Sequence, residues 1–213
     1  MIPAPKVARP QLRRASHTQR VLTDLARIFS TIFNPFLTAL ALFTIIAHEK
    51  AVGGAFWFLF FASTFFTSIA PMLYVLWLYA TQRITDLDMS VRAEREKVFG
   101  AFVVCYGVGT LVLYLMHAPT LMIAAMAGFT AASFVVQIIT KFWKISTHAL
   151  GVTAPLIVLL YMYGLQPLPF LLIVPLVGWS RVWLRAHTVW QVIAGTGLGA
   201  VSVLFFLRVF RLV

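Results

Sequence analysis

The chain has 213 residues, of which 61% are hydrophobic and 11% charged, and seventeen Lys and Arg against six Asp and Glu give it a formal net charge of +11. Soluble domains are about 25% charged, so this balance excludes one. A bilayer core of ~30 Å takes ~20 apolar residues per helix, which leaves room for an all-α transmembrane bundle of about six to seven spans. In such a chain a positive excess reports topology or anionic head groups rather than nucleic acid, so membrane lipids are the expected partners.

The first 28 residues are polar and basic, with Pro3, Pro5 and Pro10 but no apolar core, so no cleavable signal peptide is expected. Inside this tail Val21, Leu22, Leu25 and Ile28 recur at helical spacing, with Arg20, Asp24 and Arg27 between them. That pattern predicts a short interfacial helix resting on anionic lipid. Residues 29–213 then form a single membrane domain of seven apolar runs, at about 29–48, 53–80, 98–115, 121–140, 149–163, 168–179 and 188–207. The fifth and sixth are short for a full span.

Polar islands interrupt this pattern at 82–97, 141–148 and 180–187. Seven runs in this order place the tail and all three islands on one membrane face, which collects fourteen of the seventeen cations; Lys50, Arg208 and Arg211 remain for the other. The positive-inside rule makes that face cytoplasmic, and the plasma (inner) membrane is the expected location. The carboxylates are Asp24, Glu49, Asp86, Asp88, Glu94 and Glu96, so none exists beyond Glu96. Cys105 is the single cysteine and lies in an apolar run, so no intrachain disulfide forms.

The second island reads Lys141-Phe-Trp-Lys144-Ile-Ser146-Thr147-His148, and the third carries Ser180-Arg181 and Arg185-Ala-His187, followed by Gln191. Two imidazoles, several cations and hydroxyls converge on one face, with no Cys cluster and no carboxylate–His set for a metal. This inventory suits phosphoryl transfer without metal or cofactor. Fixed cations and N–H donors hold the charge that spreads over phosphate oxygens, while one imidazole attacks phosphorus and a second protonates the leaving oxygen. If His187 opens the last helix, the helix dipole also favours an anion there.

Ser146-Thr147-His148 followed by Ser180-Arg181-x5-His187 resembles the second and third signatures of the type 2 phosphatidic acid phosphatase superfamily, Pro-Ser-Gly-His and Ser-Arg-x5-His-x3-Asp. The resemblance implies a helical membrane lipid phosphatase acting on a lipid phosphomonoester or diphosphate. His187 would be the nucleophile that becomes a phosphohistidine and His148 the general acid, while Ser146 and Arg181 hold phosphate oxygens; the further candidate phosphate contacts are Thr147, through its backbone N–H, and Arg95, Arg92 and Lys144. Ile145 and Thr147 replace the family's Pro and Gly, and Gln191 replaces the Asp that orients the nucleophile. The first signature, Lys-x6-Arg-Pro, maps onto Arg95 with Asp88 at the Lys position and Glu96 at the Pro position. Arg92, Lys97 or Lys144 would stand in for the missing Lys, and Gln191, Asp86 or Asp88 would support His187.

Two other classes compete with this reading. Asp86-x-Asp88 is the seed of a metal-dependent prenyl or alcohol phosphotransferase, and loss of the family's Asp and Lys would suit a lipid-phosphate-binding protein without activity. His17, His48 and His117 are read as structural, Gly195 and Gly199 as a small-x3-small packing pair, and the six Trp as an interfacial belt.

Overall fold

The computed structural model describes residues 16–87 and 91–213; Asp88 therefore lies outside the described residues. Those residues form helices α1 (His17–Ile32), α2 (Pro35–Lys50), α3 (Phe56–Thr64), α4 (Ala70–Ala80), α5 (Arg92–Leu115), α6 (Thr120–Thr140), α7 (Thr147–Tyr163), α8 (Ile173–Trp183) and α9 (Val189–Val209). A π-helical turn, Phe65–Ile69, joins α3 to α4 in one helix, and a 3₁₀ turn, Leu168–Leu172, leads into α8. The expected all-helical class is met. Four helices are long and apolar enough to cross a bilayer, Phe56–Ala80, α5, α6 and α9, and a fifth span results if α1 and α2 count as one broken element. The fifth and sixth apolar runs became α7 and the η-turn–α8 segment, both shorter apolar helices.

The N-terminal helix is longer than the pattern over Val21–Ile28 predicts. Ser16 and Gln19 form a reciprocal capping box that starts α1 at His17. The helix runs past the expected boundary at residue 29 until Asn34, whose Oδ1 accepts from the amides of Phe36 and Leu37 at 2.9 and 3.0 Å, with Pro35 at the first helical position. A new cap and a proline end one helix and begin another, so the chain bends by 44°. The buried face of α1, Ala26 and Ser30, packs on α8, where the Trp183 indole donates to Thr23 Oγ1 at 3.2 Å.

Two prolines inside the bundle have visible consequences. Pro71 has no amide hydrogen to give to the preceding turn, and the π turn immediately before it absorbs the mismatch. Pro155 leaves the Gly151 carbonyl without its helical partner, and Thr38 Oγ1 of α2 donates to that oxygen at 2.7 Å. The freed carbonyl thus becomes a tie between α2 and α7.

A bare-backbone helix approach brings the second and third islands together. A Cβ on Gly195 would collide with the Ser146 carbonyl, and one on Gly199 would lie 2.8 Å from the Leu150 carbonyl, so the α9 backbone rests directly on α7. Ser146 N donates to the Gln191 carbonyl at 3.0 Å and locks the register of the two helix starts. Gly197 faces open space. Gly195→Ala is therefore expected to cost ~1–3 kcal/mol of stability through overpacking, whereas Gly197→Ala should be neutral or stabilising by ~0.4–1 kcal/mol. Thermal unfolding of both variants in detergent checks this, and equal midpoints would contradict the packing argument.

Candidate functional site

A cavity of about 410 Å³ opens among α1, α4, α5, α6, α7 and the α8–α9 turn, and Arg95, Thr147, His148, Arg181 and His187 all line it. Arg95 is 1% exposed, Arg181 2% and His187 8%, so the cationic end is removed from bulk water. Arg95 stands in the first turn of α5, donates from Nη2 to the Ile145 carbonyl at 3.2 Å and lies 5.4 Å over the Phe99 ring. Arg181 closes the last turn of α8, and its Nη1 donates to Ser30 Oγ at 2.6 Å.

Local backbone geometry returns His187 to Arg181. Helix α8 ends in a Schellman motif, with Ala186 N bonded to the Arg181 carbonyl at 3.0 Å and Arg185 N to the Val182 carbonyl at 2.9 Å. Arg185 supplies the left-handed residue, at φ 54°, that glycine normally provides. His187 N also bonds the Arg181 carbonyl, at 3.2 Å, so the His187 backbone is held against the end of the helix that carries the guanidinium.

His187 does not open the last helix: Thr188 is the N-cap of α9, and His187 precedes it. Gln191 reaches it from the first turn of α9. Thr188 and Gln191 form a capping box, in which Gln191 Oε1 accepts from Thr188 N at 3.2 Å. His187 Nδ1 lies 3.0 Å from the same oxygen. A backbone amide only donates, which identifies that Gln191 atom as the oxygen; Nδ1 must then carry its hydrogen, and Nε2 keeps its lone pair.

The other sequence-derived residues divide clearly. Ser146 is fully buried and caps α7, its Oγ accepting from Ala149 N at 3.4 Å, and it does not line the cavity. Lys144 Nζ donates to the Ala186 carbonyl at 3.2 Å, and exposed Arg92 donates to the Phe142 carbonyl at 3.0 Å; both brace the turns beside the site rather than line it. Asp86 is half-buried and accepts from Thr85 Oγ1 at 3.5 Å. Among the described residues no three His, Cys, Asp or Glu side chains gather as a metal site would require. His48 pairs with Glu49 at 3.6 Å, and His117 occupies the α5–α6 turn with φ 52°.

Ser30 was missed by sequence reasoning. Its hydroxyl accepts from Arg181 and its carbonyl bonds His148, so one residue of α1 contacts both signature elements. Arg27, Thr31 and Asn34 line the same cavity. A lone serine in Ile28-Phe29-Ser30-Thr31-Ile32 carries no spacing signal, and only the packing of α1 on α8 gives it a role.

Burial, reinforced by Arg95 and by the charges of Arg181 and Lys144, pushes the His187 pKa down to about 3 against the opposing hydrogen bond from Gln191. The imidazole is therefore neutral at pH 7 and remains neutral as the pH falls through the ordinary histidine range. An anion placed among these cations would offset their charge and raise the value.

Residues 139–212 match the family model of the PAP2 superfamily, the phosphatase superfamily that the two signatures resemble. No curated protein and no solved structure matches the chain. The matched stretch contains α7, α8 and α9 with both histidines, while Ser30 and Arg95 lie outside it. This match and the apolar helices fit a membrane phosphatase of that superfamily. In ¹⁵N-histidine NMR spectra of the ligand-free protein, the His187 ring is expected to show no titration between pH 8 and pH 5, and vanadate should move its midpoint upward; a ligand-free midpoint near 6.5 would refute the electrostatic account.

Proposed function

We propose that the chain is an integral membrane lipid phosphatase that hydrolyses a phosphomonoester or diphosphate through a phosphohistidine on His187, without a metal and on the cytoplasmic face of the plasma (inner) membrane. The observation that carries this reading is the convergence of His148, His187, Arg95 and Arg181 on one buried cavity with an apolar extension. The two arginines present charged donors to the phosphate oxygens in a site of low dielectric, where each contact is worth more than in water. The neutral Nε2 of His187 attacks phosphorus in line, forming the N–P bond as the ester P–O bond breaks.

Gln191 holds Nδ1–H throughout and so fixes the attacking tautomer, acting as a positioning residue. His148, oriented by the Ser30 carbonyl, delivers the proton to the leaving alkoxide. A phosphate monoester has its second pKa near ~6, so the monoanion that enters brings this proton with it. Water then gives a proton to His148 and attacks phosphorus, the N–P bond breaks, and the phosphate leaves with the proton that His148 held, which restores both imidazoles. An amide in place of the family's carboxylate supports the developing imidazolium less strongly, so a slow chemical step is the expected consequence.

His187→Ala should reduce phosphate release from lipid phosphates by at least ~10³-fold with folding retained, and alkaline trapping should recover phosphohistidine from the unmodified protein only. Unchanged release from the variant would sink the proposal. Activity should survive excess EDTA; its loss there would favour the metal-dependent transferase, and no release from any ester would favour a binding protein. Gln191→Glu preserves the capping box and the acceptor and should keep activity, whereas Gln191→Leu should lower kcat by ~10²–10⁴ with little change in KM, as loss of a tautomer-fixing partner does.

A further inference from the structure

Beyond its cationic end, the cavity continues as an apolar shaft. Along α5, Arg95, Phe99, Phe102 and Tyr106 line it on successive turns, and Val136, Ser133 and Phe129 of the neighbouring α6 line it beside them. From Arg95 to Tyr106 is eleven residues, or ~16 Å at ~1.5 Å per residue. One leaflet of a ~30 Å hydrocarbon core has nearly that thickness. At the far end Tyr106 and Phe129 meet edge to face at 6.2 Å, and Phe43 backs Phe129 at 5.8 Å, which closes the shaft with aromatic rings. Met72 and Leu76 of α4 line the cavity yet stay 43% and 41% exposed, an apolar side opening through which a chain passes from the bilayer.

The volume limits what fits. About 410 Å³ is at the lower end of the ~300–1,000 Å³ typical of ligand pockets, enough for a phosphate head and a single slender chain. We infer that this shaft is a chain-measuring pocket that takes one alkyl, acyl or prenyl chain of a phosphate ester, and that Phe129 and Tyr106 set the longest chain it accepts. The inference rests on the phosphatase reading only for which end of the ligand reaches His187. Its substrate class is the single-chain lipid phosphate, in preference to a diacyl one.

Alkylphosphonates cannot be hydrolysed, so their binding isolates the shaft from the chemistry. Across a series from hexyl to octadecyl phosphonate, affinity for the intact protein, referred to the free aqueous phosphonate rather than to its micellar form, is expected to rise by about fourfold per methylene, the ~0.8 kcal/mol of each CH₂ removed from water, and then to level off at a defined length. Phe129→Leu should move the break to longer chains and Ser133→Phe to shorter ones; because they displace it in opposite directions, a general loss of packing is not mistaken for the effect. A break that neither variant moves, a rise without any break, or a diacyl phosphonate that binds as tightly as the best single-chain one overturns the inference. Failure to release phosphate from the matching alkyl phosphates or from water-soluble p-nitrophenyl phosphate, with the break intact, overturns the phosphatase reading and leaves the chain-measuring pocket standing.

Discussion

The contact on which the site depends is the bare-backbone approach of α9 to α7. Gly195 and Gly199 remove the side chains that would hold the helices apart, and the Ser146 N–H to Gln191 carbonyl bond then sets their register. Both helices begin at this contact. It places His148, in the first turn of α7, and His187, just before the cap of α9, at the mouth of one cavity. In a membrane, where apolar surface gains little from leaving lipid, such close packing and buried polar bonds are the main means of fixing two helices relative to one another.

Around that contact the polar residues fall into two groups. Ser146, Lys144 and Arg92 bond backbone groups of the surrounding turns without lining the cavity, while Arg95, Arg181 and the imidazoles line it. Substitution of an amide for the family's carboxylate at position 191 is compatible with this arrangement because Gln191 serves two ends at once. It caps α9 and orients His187 with the same oxygen. The charges of Arg95, Arg181 and Lys144 act with burial to keep the His187 imidazole neutral, and an anion bound beside them would offset that field.

The first helix gives the site a wall that no signature motif describes. Its break at Asn34-Pro35 lets α1 lean across α8, where Ser30 ties Arg181 and His148 together. The interfacial character read from Arg20, Asp24 and Arg27 is compatible with this position, because these three side chains are exposed, Arg27 at the edge of the cavity, while the buried face of α1 covers it.

Hydropathy alone determined the helical membrane class, since a run of some twenty apolar residues has few other stable outcomes. Signature spacing was equally legible for His148, Arg181 and His187, which stand at helix ends where local sequence governs the backbone. The small-x3-small pair was readable as packing because its four-residue repeat is a property of the helix itself. What tertiary structure decided is different in kind. Ser30 and the aromatic shaft under Arg95 depend on which helices become neighbours, and Thr38 acquires a partner only because Pro155 frees a carbonyl more than a hundred residues away. Such pairings leave no periodicity in the chain: each is made by two faces meeting, and either face alone reads as an ordinary apolar helix.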